Sequence, residues 1–164
     1  MTAEFELPQA VRQVLGAARC AVRVDEGVLS VAESEMEIRY RLGREGDGWR
    51  LDRIDRGEPP LWELSALSVD DVFRYLVVEL APVARAFHGV EPRIFPTFTR
   101  EPAAGFDREE RDGAVTIVQD GRVRARFRPE DPFGVSRSTD FTHYADLPLD
   151  RITELVLTTS VSPE

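Results

Sequence analysis

Apolar and polar positions alternate along this chain with two different periods, and the switches between them mark out the elements. Pro8 suits the first residue of a helix, where its missing N–H costs nothing. Val11, Val14, Leu15 and Ala18 follow at i, i+3, i+4 and i+7, with Gln9, Arg12, Gln13 and Arg19 on the other side, a short amphipathic helix. From Ala21 the period becomes two: Val22 and Val24 precede a turn at Asp25-Glu26-Gly27, and an extended run resumes over 28–32. Met36, Ile38, Tyr40 and Leu42 then alternate with Glu35, Glu37, Arg39 and Arg41, which predicts a strand of an antiparallel sheet with one wet face. A turn over 43–48 leads to a returning strand from Trp49. Trp49 and Leu51 keep the core parity while Ile54 breaks it, so a β-bulge is expected near Arg53. Residues 57–60 interrupt the strand before Leu61-Trp62-Glu63-Leu64.

The longest helix comes next. Ser68 caps it, with Asp71 three residues on in a capping-box arrangement. Val69, Val72, Phe73, Leu76, Val77, Leu80, Ala84 and Phe87 trace one stripe. Pro82 falls inside this stripe, at a cost of about 3 kcal/mol or more in a continuous helix. Because the stripe stays in phase on both sides, one kinked helix is predicted, ended by Gly89. Residues 91–105 carry three prolines and read as extended coil. Asp112-Gly113 and Asp120-Gly121 are hairpin turns, implying a three-strand meander over about 106–111, 114–119 and 122–128. Its last strand sets Val123, Ala125 and Phe127 against a ladder of Arg122, Arg124, Arg126 and Arg128. Residues 128–140 read as loop, and a closing helix starts near Pro148 with Leu149, Ile152, Leu155 and Val156 inward. The expected fold is α+β. Residues 1–164 would form a single domain, with a mainly antiparallel twisted sheet of hairpins packed by a long kinked helix and shorter N- and C-terminal helices.

Composition narrows the class. All 21 basic residues are arginine, with no lysine and no asparagine, the mark of a GC-rich bacterial genome. The formal net charge of −9 disfavours nucleic acid, whose phosphates require a basic surface, and suits a basic protein partner. Cys20 is the sole cysteine, so neither an internal disulfide nor a cysteine zinc site is expected. Residues 1–7 lack the pattern of a signal peptide, and no stretch approaches the roughly 18–20 apolar residues of a membrane span. A cytoplasmic protein, with no membrane attachment, is expected.

Reacting groups are scarce. His88 closes a helix, where an imidazolium favours the negative dipole end. His143 has Asp140 and Asp146 three residues to either side and Ser136 and Ser138 upstream, but sequence adjacency does not make a triad. Glycines 43, 46 and 48 sit between strand-like runs beside Glu45 and Asp47, which fits a hairpin and not a phosphate loop. No catalytic residue, metal site or cofactor is expected. Four like charges on one strand face repel unless compensated. The arginine ladder therefore pairs within the chain, with Asp107, Glu109 or an acidic helix, or serves as a docking ridge for an acidic partner surface or, as the lesser alternative, for RNA.

Glu37-Ile38-Arg39-Tyr40, Gly48-Trp49, Asp55-Arg56-Gly57, Trp62-Glu63-Leu64-Ser65-Ala66 and the helix from Ser68 to Leu76 form a layout that continues in Gly105-Phe106, His143-Tyr144 and Leu149 to Leu155. Over about 35–157 this layout resembles the immunity-protein family numbered 61 in bacterial polymorphic-toxin systems, which includes the immunity factor of a secreted NAD-glycohydrolase toxin. The resemblance implies a non-enzymatic antitoxin that binds and occludes its cognate protein toxin. It offers no interface motif to carry over. Phe133, Glu130 and Asp131 in the loop 129–134, with Arg137, are therefore chosen as partner-binding candidates on exposure and chemistry, since aromatic and arginine anchors concentrate interface energy. A monomer is favoured. Two alternatives stand beside this reading: an acidic secretion-system chaperone or adaptor, which should expose an apolar groove or sheet edge, and a small enzyme using His143 with Asp140 or Asp146.

Overall fold

A computed structural model describes residues 6–34, 37–90, 101–131 and 136–158. Helix α1 (Gln9–Ala17) is followed by strands β1 (Ala21–Asp25), β2 (Val28–Ala32), β3 (Ile38–Glu45), β4 (Gly48–Asp55) and β5 (Leu61–Ala66). The long helix α2 (Val69–Phe87) leads to β6 (Phe106–Arg111), β7 (Ala114–Gln119), β8 (Arg122–Phe127), α3 (Arg137–Thr142) and α4 (Leu149–Leu157). The strands form one antiparallel sheet in the order β1-β2-β3-β4-β5-β8-β7-β6. The chain thus runs down one meander, crosses on α2 to the far edge and returns, so β8 closes against β5. The expected α+β fold is what forms.

Each hairpin has a local cause. Asp112 and Asp120 take φ of 51° and 52°, and the glycines after them 75° and 71°. That left-handed pair is the tight turn whose twist matches the flanking strands. The β3–β4 turn is narrower than expected, with strand pairing reaching Glu45↔Gly48. Gly48 leaves no alternative: a Cβ there would lie 2.7 Å from the Ala66 carbonyl oxygen of the next strand.

The helices cover one face. Leu29, Val31, Tyr40, Leu42, Leu51, Leu64, Ile117, Ala125 and Phe127 from the sheet bury against Val72, Phe73, Leu76, Leu80 and Ala84 of α2, Val11 and Val14 of α1, and Ile152 and Val156 of α4. A T-shaped chain of rings, Tyr75–Phe127–Phe141–Tyr144, runs through this core. Among the described residues no helix is long and apolar enough to cross a membrane.

Several expectations need correction. Pro8 is the N-cap of α1 and accepts from the Arg12 N–H at 3.1 Å, so the helix begins one residue later. Ser68 caps α2 through Asp70 N–H, but Asp71 turns to arginines instead of completing a box. The single helix expected across Pro82 does form. Helix α3, capped by Ser136, begins inside the stretch read as loop and runs past its end to Thr142. Glu35 and Met36 lie outside the described residues.

The bulge is also elsewhere. β4 pairs with β3 without a break, so Ile54 stays opposite Arg39 on the uncovered face. The irregularity falls between β4 and β5, where Leu51 faces Leu64 and Asp52 faces Trp62. Glu63 is the extra residue, and the neighbouring β7–β8 ladder skips Arg124 in the same way.

Candidate functional site

A β-bulge swaps the faces on which the later residues of its strand lie, and here two bulges turn charged residues inward. In strict alternation with Leu64 and Ala66, Trp62 would face the helices and Glu63 the solvent. The extra residue reverses this. Trp62 instead bonds Ser65 Oγ through Nε1 at 3.0 Å on the uncovered face, and Glu63 is left 2% exposed beneath α2. Tyr75 and Glu79 stand four residues apart on α2, hence on one face of it. Tyr75 Oη donates to Glu63 Oε2 at 2.8 Å. Arg137, the first residue of α3, sets Nη1 3.4 Å from Glu63 Oε2 and Nε 3.4 Å from Glu79 Oε1. Arg128 comes directly after β8, where its N–H donates to the Glu63 carbonyl at 3.2 Å. Its Nη2 lies 3.4 Å from Glu63 Oε1, and that oxygen has no hydrogen bond.

Of these groups Glu63, Tyr75, Arg128 and Arg137 line a cleft of about 400 Å³, with Phe127, Pro129, Glu130 and Asp131 completing its wall and Glu79 behind Arg137. Two carboxylates face two guanidiniums at distances longer than a good charged hydrogen bond. Burial raises the pKa of Glu79, with Arg137 opposing and Glu63 adding to the shift. Burial likewise holds the Tyr75 and Tyr144 hydroxyls well above their ordinary range. Burial works against the Arg137 charge, yet Glu79, Tyr75 and Glu63 together keep its pKa above that of a free arginine.

The loop candidates divide. Glu130 accepts from Ser138 N–H and Ser138 Oγ, both at 2.7 Å, and from Ser136 Oγ at 3.0 Å, with Arg108 at 3.3 Å. Its side chain, 9% exposed, ties the loop to the first turn of α3. Asp131 is exposed beside it, and Arg137 bridges the two acids of the cleft with 31% of its side chain exposed. Phe133 lies outside the described residues. The cleft therefore adjoins three of the four residues chosen from the sequence. Glu63, Tyr75, Glu79 and Arg128 were not among the choices. One signal was available: Glu63 and Glu79 each interrupt an apolar run, Leu61–Ala66 and Val77–Ala81.

The arginine ladder breaks at its bulge. Arg124 points to the helices and clasps Asp71 through Nε–Oδ2 at 2.6 Å and Nη2–Oδ1 at 2.9 Å. It also reaches Asp146 and the Ala145 carbonyl, while Val123 becomes an exposed apolar residue. Arg128 turns to Glu63, leaving Arg122 and Arg126 exposed. Compensation is thus internal for two of the four arginines, by Asp71 of α2 and Asp146 for Arg124 and by Glu63 of β5 for Arg128.

The histidines stand apart from these clusters. His88 is the C-cap of α2. His143 ends α3 with Nε2 2.9 Å from the Glu101 carbonyl oxygen, while Asp146 is held by Arg124 and Gln119. Among the described residues no three side chains gather as metal ligands. Cys20 is free and partly buried, and burial, then Glu33, push its thiol up to about 11.

Among solved structures, Rv3902c from M. tuberculosis has the same fold: TM-score 0.81, 17% sequence identity, covering 97% of this chain and 93% of that one. No curated protein matches. The family model described as Immunity protein 61 matches residues 14–163, nearly the whole sequence. The chain belongs to the immunity protein 61 family.

Proposed function

We propose that the chain is a cytoplasmic, monomeric antitoxin that binds and occludes a cognate secreted bacterial toxin, without an activity of its own. Family membership over residues 14–163 carries this reading. The net charge of −9 supports it, because an acidic surface accelerates encounter with a basic partner. The contact residues would be Glu130, Asp131 and Arg137, which line the cleft, together with Phe133 on the strength of the sequence alone, and a single module over residues 1–164 would suffice. An NAD-glycohydrolase is the toxin class we favour, on the strength of the sequence resemblance.

The test is co-expression with the toxin encoded beside this gene. Growth should be rescued, intracellular NAD preserved, and a one-to-one complex recovered by size-exclusion chromatography with light scattering. Continued killing in the presence of soluble 1–164 would refute the pairing. Killing rescued without any effect of the toxin on NAD would refute only the toxin class.

A chaperone or adaptor role has one observation in its favour. Edge strand β1 leaves Val22 and Val24 42% and 44% exposed, on the side of the sheet that carries Leu29 and Val31. Such an edge can accept an extended segment. Preferential binding of the unfolded toxin over the folded one would select this role.

A further inference from the structure

The cleft above Glu63 has a donor and acceptor pattern that selects its occupant. Its floor holds a carboxylate oxygen, Glu63 Oε1, that is buried and accepts no hydrogen bond. Leaving such an atom unmet is costly, and more so for a charged group. Tyr75 already serves the other oxygen. Arg128 and Arg137 stand on the wall with 36% and 31% of their side chains exposed, each 3.4 Å from Glu63. Their remaining N–H groups are donors facing the same space.

Three classes of visiting group can be weighed against this pattern. A carboxylate would satisfy the arginines, but it would leave Glu63 Oε1 without a donor and repel it. A guanidinium or ammonium would satisfy Glu63, but would sit against two arginines. The cleft is lined by Glu63, Glu130 and Asp131 against Arg128 and Arg137, and Glu130 is neutralised from behind by Arg108, so the charges around the lining nearly balance and draw in neither sign of ion strongly. A neutral group with N–H and C=O on one carbon meets both demands: its N–H to Glu63 Oε1, its oxygen to Arg128 and Arg137. Oε1 is itself buried, and Arg128, 36% exposed and 3.4 Å from it, is the side chain that would have to turn aside for a visiting N–H to reach it. At about 400 Å³ the space takes such a side chain with its flanking backbone.

We propose that this cleft receives the side-chain carboxamide of an asparagine or glutamine presented by the bound toxin, with Glu63 as acceptor and Arg128 and Arg137 as donors. The assignment rests on the antitoxin reading, and its test separates the two. Wild type and Glu63→Gln are titrated calorimetrically against the catalytically inactivated toxin encoded beside this gene. The substitution keeps shape but replaces an acceptor with a donor. At least tenfold weaker binding is expected, measured at a temperature where a melting curve shows the variant folded, since removing the charge beside Arg128 and Arg137 should itself lower the melting temperature. On the toxin side, one Asn→Asp or Gln→Glu substitution should weaken binding of wild type and lose less against Glu63→Gln. Equal affinity of wild type and Glu63→Gln overturns the proposal and leaves the antitoxin reading intact.

If wild type does not bind that toxin, both readings fall, and the chemistry of the cleft is still decided with a small probe. Propionamide, at concentrations on the order of 100 mM suited to a ligand so small, should shift the Arg128 and Arg137 Nε–H signals of the wild-type protein. It should not shift them in Glu63→Gln. No shift, or a larger response to propionate or methylguanidinium, overturns the carboxamide assignment. The wild-type titration needs no variant to fold.

Discussion

Replacing Arg124 with methionine tests whether the bulge in β8 converts a surface arginine into part of the scaffold. Arg124 clasps Asp71 with two hydrogen bonds and adds a third to the Ala145 carbonyl, a fourth to Asp146 and a fifth to Gln119 Oε1. The Asp71 side chain is 2% exposed and would keep only Arg74 at 2.8 Å. Breaking a buried ion pair by removing one partner costs about 3–5 kcal/mol. Arg124 is itself 24% exposed, so solvent screening argues for the lower end or just beneath it, about 2–3 kcal/mol. For a chain of this length each kcal/mol lowers the melting temperature by about 2–4 °C, so a fall of roughly 4–12 °C is expected. Arg126→Met, two residues along on the uncovered face, should stay within about 0.5 kcal/mol of wild type. Urea and thermal unfolding at neutral pH measure both. Replacing Asp71 with asparagine as well should then cost less than the sum of the single changes, because the pair is already broken. If Arg124→Met and Arg126→Met are equally mild, or equally harmful, the inward turn of Arg124 is wrong.

The same geometry makes two further outcomes testable. Gly48→Ala forces a Cβ to within 2.7 Å of a backbone oxygen, and should destabilise by about 1–3 kcal/mol in a urea melt; an unchanged midpoint would show that β4 and β5 can separate there freely. Glu79 has a folded-state pKa raised above its ordinary value of 4.5, chiefly by burial. The folded state therefore holds that proton more tightly than the unfolded chain, and stability falls as pH rises from about the unfolded pKa through the folded one. Glu79→Gln should flatten this part of the stability–pH curve, and at pH 7 should be neutral or stabilising despite the lost contact to Arg137. A large destabilisation at pH 7 would mean that the ion pair outweighs the burial.

Most of the sheet could be read from the sequence because its causes are local. A period of two with Asp-Gly turns defined β6, β7 and β8 to within a residue, and Ser68 with an unbroken apolar stripe defined α2. The features that stayed hidden depend on pairing with distant strands. Nothing near Leu61–Ala66 announces that Glu63 is unpaired; the bulge exists because β4 presents one residue fewer across from it. The clean alternation of 122–128 misled for the same reason, as Val123 and Arg124 exchange faces once β7 sets the register. Helix α3 went unseen because its six residues carry no apolar periodicity. The candidate site was legible only at its rim. Glu130 and Asp131 advertise themselves by lying among prolines and other acids. Glu63 and Glu79 sit in apolar runs where a lone acid is easily taken for a solvated position.

The two bulges share a location, and the location gives them their roles. β5 and β8 are the strands at which the two meanders meet, and they pair over only Leu64↔Phe127, Ser65↔Arg126 and Ala66↔Ala125. α2 lies across this short seam, and Asp71, Tyr75 and Glu79, at intervals of four residues, place a polar ridge along one face of a mainly apolar buried helix. Arg124 meets one end of the ridge with a short, two-pronged clasp, whereas Glu63, Arg128 and Arg137 meet the other with contacts of 3.4 Å around an unmet oxygen. Both ends arise from the same device, an extra residue turning a charge inward, yet they differ in how far the charge is satisfied. A fully satisfied polar network makes a structure specific, and a partly satisfied one is retained at a cost in stability. The Asp71 end accordingly joins the meanders. The Glu63 end, held open beside the loop 129–131, is where a partner's hydrogen bonds have the most to gain.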